Sequence, residues 1–98
     1  MSHQDNSVPN EMDFRDLKER ILRREIKFPP QVEKLAAVCL ARPELFAFET
    51  TTEIAAQASV PRSTIARFVR LLGRSKLKDT RAIFQNELKR RAAGDRSG

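Results

Sequence analysis

Only Ser59 and Val60 separate two helical patterns in the middle of this chain. The first opens on Thr50-x-x-Glu53, a capping box in which the Thr50 hydroxyl accepts from the Glu53 N–H and the Glu53 carboxylate returns a bond. Ile54, Ala55 and Ala58 follow at helical spacing. The second pattern runs from about Pro61 to Leu72, with Ile65, Phe68, Val69 and Leu72 on one stripe and Gly73 as its stop. A connection this short forces the two helices to meet at a sharp angle. Ala55 is small enough to allow close approach, and Val60 and Ile65 are placed to fill the corner. This is the helix-turn-helix pattern.

The remaining apolar periods are also helical. Phe14, Leu17, Ile21, Leu22 and Ile26 predict a helix over about 14–27, stopped by Phe28-Pro29-Pro30. Val32, Leu35, Ala36, Cys39 and Leu40 predict a second over about 30–41, started by Pro30 and ended by Pro43. The stretch PELFAFE reads as a short helical turn with Leu45, Phe46 and Phe48 as apolar plugs. Leu77, Ile83, Phe84 and Leu88 predict a last helix over about 75–91. Tyr and Trp are absent and there are three glycines, which argues against an all-β fold rich in turns. The expectation is therefore all-α: a five-helix bundle with a helix-turn-helix in helices three and four. Residues 1–12 and 92–98 lack an apolar period and read as a disordered leader and tail around one domain, 13–91.

The net charge of +6 is unevenly placed. Residues 1–61 carry eight basic and ten acidic side chains, whereas residues 62–91 carry ten basic side chains against Asp79 and Glu87. A second half this basic calls for a polyanionic partner, such as nucleic acid or an acidic membrane surface. Cys39 is the single cysteine, flanked by Val38 and Leu40, and reads as a reduced core thiol. No signal peptide and no apolar run near the roughly 20 residues of a membrane span is present. A cytoplasmic, nucleoid-associated location without membrane contact is expected. No Gly-rich phosphate loop, His/Cys cluster or nucleophile–base pair stands in the chain, so neither catalysis nor a metal or cofactor site is expected. Asp13/Asp16 and Glu19/Glu25 read as solvated helix charges, and His3 carries no role.

On the helix after the turn, Arg62, Ser63, Ala66 and Arg67 lie off the apolar stripe. Side chains at this end of a second helix reach base edges when it enters a major groove about 12 Å wide. Arg can bond guanine at O6 and N7 together, Ser63 and Thr64 can serve several base edges or a phosphate, and Ala66 can touch a thymine methyl. Arg70, Arg74 and Lys76 lie further along, suited to the phosphate backbone. Thr50, Thr51 and Thr52 stand at a helix start, where free N–H groups favour phosphate. LKRRAAGDR, residues 88–96, can equally be a DNA-gripping extension or a solvated helix end.

These residues together resemble the N-terminal DNA-binding domain of RpiR/MurR-type bacterial transcription regulators. The resemblance covers about residues 14–90. It rests on Arg42-Pro43-Glu44, Thr50 to Ala55, Val60, Ser63-Thr64-Ile65, Arg67-Phe68 and Leu72-Gly73. It implies sequence-specific binding of double-stranded DNA by a homodimer, acting as a repressor on two-fold half-sites. The Phe14, Leu17 and Ile21 stripe is the candidate dimer contact. It implies a phosphosugar effector only through a second domain that is not present in this chain. Three positions depart from the family pattern. Ser59 stands where Gly is usual, at a cost of about 1–2 kcal/mol for a left-handed turn residue. Pro61 replaces a Ser or Thr N-cap, and RSKLKD follows where an aromatic and Gly are common. The rival reading is a helical interaction module whose basic face docks an acidic protein.

Overall fold

The computed structural model describes residues 12–74 and 76–97. The expected leader falls almost wholly outside these, as does His3; Met12, its last residue, packs half-buried against the core. The described chain is all-helical: α1 Phe14–Leu22, α2 Pro30–Ala41, α3 Pro43–Phe48, α4 Thr51–Ala58, α5 Ser63–Leu71 and α6 Leu77–Ser97. The helix-turn-helix is α4 and α5.

Local chemistry explains most boundaries. The Asp13 carboxylate accepts from the Asp16 N–H at 2.8 Å and caps α1, so Asp13 is more than a solvated charge. Pro30 and Pro43 occupy first turns, where a missing N–H removes no helical bond. Pro43 starts α3 directly after Arg42, and PELFAF forms a helix of its own, which makes six helices among the described residues rather than five. Alpha-one stops at Leu22, five residues before the expected end, because Arg24 turns left-handed at φ 61°. Alpha-six starts at Leu77 and continues past Arg91 to Ser97, through much of the segment expected as a disordered tail.

Three helices end in the same way. After α1, α4 and α5 a residue with positive φ (Arg24, Ser59 or Gly73) is followed by an N–H that reaches back five residues. Glu25 bonds the Arg20 carbonyl at 2.9 Å, Val60 bonds Ala55 at 3.0 Å and Arg74 bonds Val69 at 3.2 Å. This is the Schellman arrangement, and it satisfies carbonyls that the helix end leaves open. Only Gly73 adopts it without a Cβ penalty. At Ser59, φ 59° and ψ 46° match the left-handed turn expected there. Burial of Val60 is worth about 1.5–3 kcal/mol, enough to offset that strain.

The core is organised by phenylalanines. Phe46 of α3 stacks on Phe84 of α6 at 5.0 Å and meets Phe68 of α5 edge-on at 5.7 Å. Phe14 of α1 and Phe28 of the α1–α2 loop extend this row at both ends. Leu17, Val32, Leu35, Cys39, Pro43, Ile54 and Thr80 are also fully enclosed. Burial pushes the Cys39 thiol up to about 12, so it stays protonated. Phe48 and Leu22, expected inside, are 67% and 69% exposed. Each is the last residue of its helix. The Phe14, Leu17 and Ile21 stripe packs into this core, so it is not free as a dimer contact.

Short α3 packs more extensively on α6 than any other helix does. Arg81 of α6 donates to the Phe46 carbonyl at 3.1 Å and Gln85 donates to the Ala47 carbonyl at 3.0 Å. Two side chains from a distant helix thus satisfy the open end of α3. Thr80, one position before Arg81, is fully enclosed, and its Oγ1 has no hydrogen-bond partner among the described residues.

Two stability outcomes follow. Ser59→Gly is expected to stabilise the fold by about 0.5–1 kcal/mol, read as a rise in Tm, while Gly73→Ala lowers it. Thr80→Val is expected to be neutral or to stabilise by up to about 1 kcal/mol, because it removes an unpaired buried hydroxyl. A loss in Thr80→Val on denaturant titration would show that the hydroxyl has a partner.

Candidate nucleic-acid interface

The turn Ser59–Arg62 brings the starts of α4 and α5 onto one face. Ala55, Val60 and Ile65 are all buried in the corner, as their sizes predicted. Alpha-five carries no side-chain cap: its first turn closes through Thr64 N–H on Pro61 carbonyl and Ile65 N–H on Arg62 carbonyl, both at 3.0 Å. Proline at 61 supplies the carbonyl but no hydroxyl, so the helix begins at Ser63 rather than at Pro61.

The start of α4 differs in detail from the expected capping box. Thr50 Oγ1 accepts from the Glu53 N–H at 3.1 Å. The Glu53 carboxylate turns forward along the helix and accepts from Gln57 Nε2 at 2.7 Å. Gln57 Oε1 in turn accepts from Arg42 at 3.2 Å, which ties the α2–α3 corner to α4. A hydrogen-bonded partner one turn ahead has displaced the return bond to the Thr50 N–H.

The expected site residues divide into groups. Thr51, Arg62, Ser63, Ala66, Arg70 and Arg74 line one open groove of about 680 Å³. Its apolar floor is Ile65, Val69 and Leu77, which the sequence pattern marked only as core. Arg67 and Lys76 are exposed beside it. Thr52 lies outside the lining but holds Arg62, whose guanidinium donates to Thr52 Oγ1 at 3.3 Å. Thr50 is exposed, with its hydroxyl engaged as the cap. Thr64 must be removed from the set: it is 4% exposed, on the inward side of α5 between Ser63 and Ile65. One step along a helix turns a side chain by about 100°, so Ser63 faces out and Thr64 faces in.

Charge is sorted in the same way. Among the described residues, no carboxylate lies within ion-pairing distance of Arg67, Arg70, Arg74 or Lys76. Among the other cations of the basic half, Lys78 and Lys89 are also exposed, whereas Arg81, Arg90 and Arg91 serve the fold. Arg81 caps α3. Arg90 and Arg91 hold Glu87 at 2.9 and 2.6 Å, and Arg91 also lies 5.5 Å over the Phe14 ring. Burial raises the Glu87 pKa, but hydrogen bonds and attraction from Arg91 and Arg90 outweigh it and leave the carboxyl below its ordinary value. LKRRAAGDR is thus part of a helix whose two adjacent arginines, although exposed, are paired with Glu87.

Among the described residues, no group of three or more His, Cys, Asp or Glu is placed to hold a metal ion. No described helix is long and apolar enough to cross a membrane. No family model matches the chain, and neither curated proteins nor solved structures give a significant match.

Glu87 supplies a pH-dependent outcome. Its folded-state pKa is lowered, so the stability it adds is present above the ordinary carboxylate value and is lost as pH falls from there through the lowered folded-state value. Glu87→Gln is expected to destabilise by about 1 kcal/mol at neutral pH. Denaturant titrations of both proteins should converge on acidification. A deficit that persists at low pH would mean that Glu87 acts through packing alone.

Proposed function

We propose that this chain binds double-stranded DNA in a sequence-specific manner, as a transcription regulator, with the outer face of α5 in the major groove. One observation carries the reading. On and beside the exposed face of the second helix of a helix-turn-helix, four cations lie without carboxylate partners, while Arg81, Arg90 and Arg91 nearby are engaged in the fold. A positive face kept free of internal neutralisation suits a phosphate backbone.

The proposed mechanism has two stages. Long-range attraction to the phosphates brings the duplex to α5, with Arg67, Arg70, Arg74 and Lys76 displacing condensed counterions. Arg62, Ser63 and Ala66 then meet base edges, where guanidinium, hydroxyl and methyl groups discriminate among base pairs. Repressor action and a dimer on two-fold half-sites follow from the family resemblance, with the dimer contact elsewhere than the α1 stripe. The proposal is of a binding domain and not of an enzyme.

The test is fluorescence anisotropy on labelled duplex DNA across a salt series. Four neutralised phosphates predict a log–log slope near −3.6, roughly a hundredfold loss of affinity between about 50 and 200 mM salt. Arg70→Ala should shorten that slope by about one contact. Arg90→Ala should leave it nearly unchanged, since that guanidinium is held on Glu87. Binding that stays flat with salt, or no binding to any duplex, would remove DNA as the partner and favour an acidic protein.

A further inference from the structure

Arg62 is an exposed arginine at the start of α5, and its guanidinium is held by a residue of the other helix. Thr52 lies on the first turn of α4, ten positions earlier, and its Oγ1 accepts from one terminal nitrogen of Arg62 at 3.3 Å. By contrast, Arg67 and Arg70 have no hydrogen-bond partner among the described residues. We infer that Thr52 is a positioning residue for Arg62, and that the pair reads one base pair as a unit while Arg67 and Arg70 act as freely moving charges. This rests on the DNA reading above.

The chemistry favours this division. An unrestrained arginine loses rotamer freedom on docking, and that loss weakens the interface. The Thr52 bond restricts that freedom before DNA arrives. It occupies one N–H of the guanidinium and leaves four. Those that remain include a planar pair able to meet guanine O6 and N7 together. The Thr52 hydroxyl donates nothing to Arg62, so its proton stays available. A guanidinium aimed in this way discriminates by direction, which a free cation on a flexible stem does not. The contact also crosses the turn, so the angle between α4 and α5 sets where the fork points.

The experiment begins with wild-type protein and a random duplex pool, from which the preferred site is selected and its base preferences recorded. Thr52→Val, Thr52→Ser, Arg62→Ala and the Thr52→Val/Arg62→Ala double variant are then measured on that site and on its single-base variants, with circular dichroism as the folding control. Thr52→Val is expected to weaken binding about three- to tenfold and to flatten preference at the same base pair as Arg62→Ala. Thr52→Ser, which keeps the hydroxyl, should retain both affinity and preference. In the Arg62→Ala background, Thr52→Val should have no further effect. If the two losses multiply, or if Thr52→Val leaves that base preference intact, Thr52 does not act through Arg62 and the inference falls while DNA binding stands. If the wild type selects no duplex, both fall together.

Discussion

A row of phenylalanine rings holds the helices in their places. Phe14, Phe84, Phe46, Phe68 and Phe28 follow one another through contacts of 5.0–5.8 Å, and between them they join α1, α6, α3, α5 and the loop before α2. Each of the four buried rings contributes burial of about 1.5–3 kcal/mol, half-buried Phe28 less, and each favourable ring pair about 0.5–1.5 more. No exposed ion pair in the molecule competes with that scale. Phe68 matters most for the candidate interface. It pins the inner side of α5 and so determines that Ser63, Ala66, Arg67 and Arg70 face outward.

The polar interactions then refine what the rings establish. Alpha-three is only six residues long and would not persist alone. Stacking of Phe46 brings it to α6, and Arg81 and Gln85 satisfy its last carbonyls there. The same helix directs Arg90 and Arg91 onto Glu87. These bonds engage three of the basic residues of α6. The cations considered for DNA on and beside α5 are left without carboxylate partners, which a count over the basic half could not show.

Much of the architecture was legible because a few residue types have narrow conformational choices. Prolines at 30 and 43 mark helix starts, Gly73 marks a stop, and the two-residue gap at Ser59-Val60 defines the corner. Ser59 was recognisable as a left-handed position through the family resemblance, and its φ of 59° agrees. Other features were not legible for definite reasons. Leu22 and Phe48 carry apolar side chains at helix ends, where period alone does not say whether a neighbour covers them. Glu53 stands three residues after a threonine, as a capping box requires, yet Gln57 one turn later competes for its carboxylate. Thr64 looks like one more hydroxyl at the head of α5, and only the rotation of that helix on its core makes it an inside residue.

The sequence by itself determined the all-helical class, the corner between α4 and α5, the inward stripe of α5 and the basic bias of the second half. Each follows from chemistry within one turn or one loop: apolar period, a proline, a cap or a count of charges. Tertiary structure alone decided that α3 docks on α6, that the α1 stripe is spent on the core, and that Arg81 belongs to the fold. It also placed Thr52 against Arg62 across the turn. These depend on distances between residues that lie from ten positions apart, as Thr52 and Arg62 do, to the seventy that separate Phe14 from Phe84. Local periodicity carries no information about such distances; the packing of rings between helices sets them.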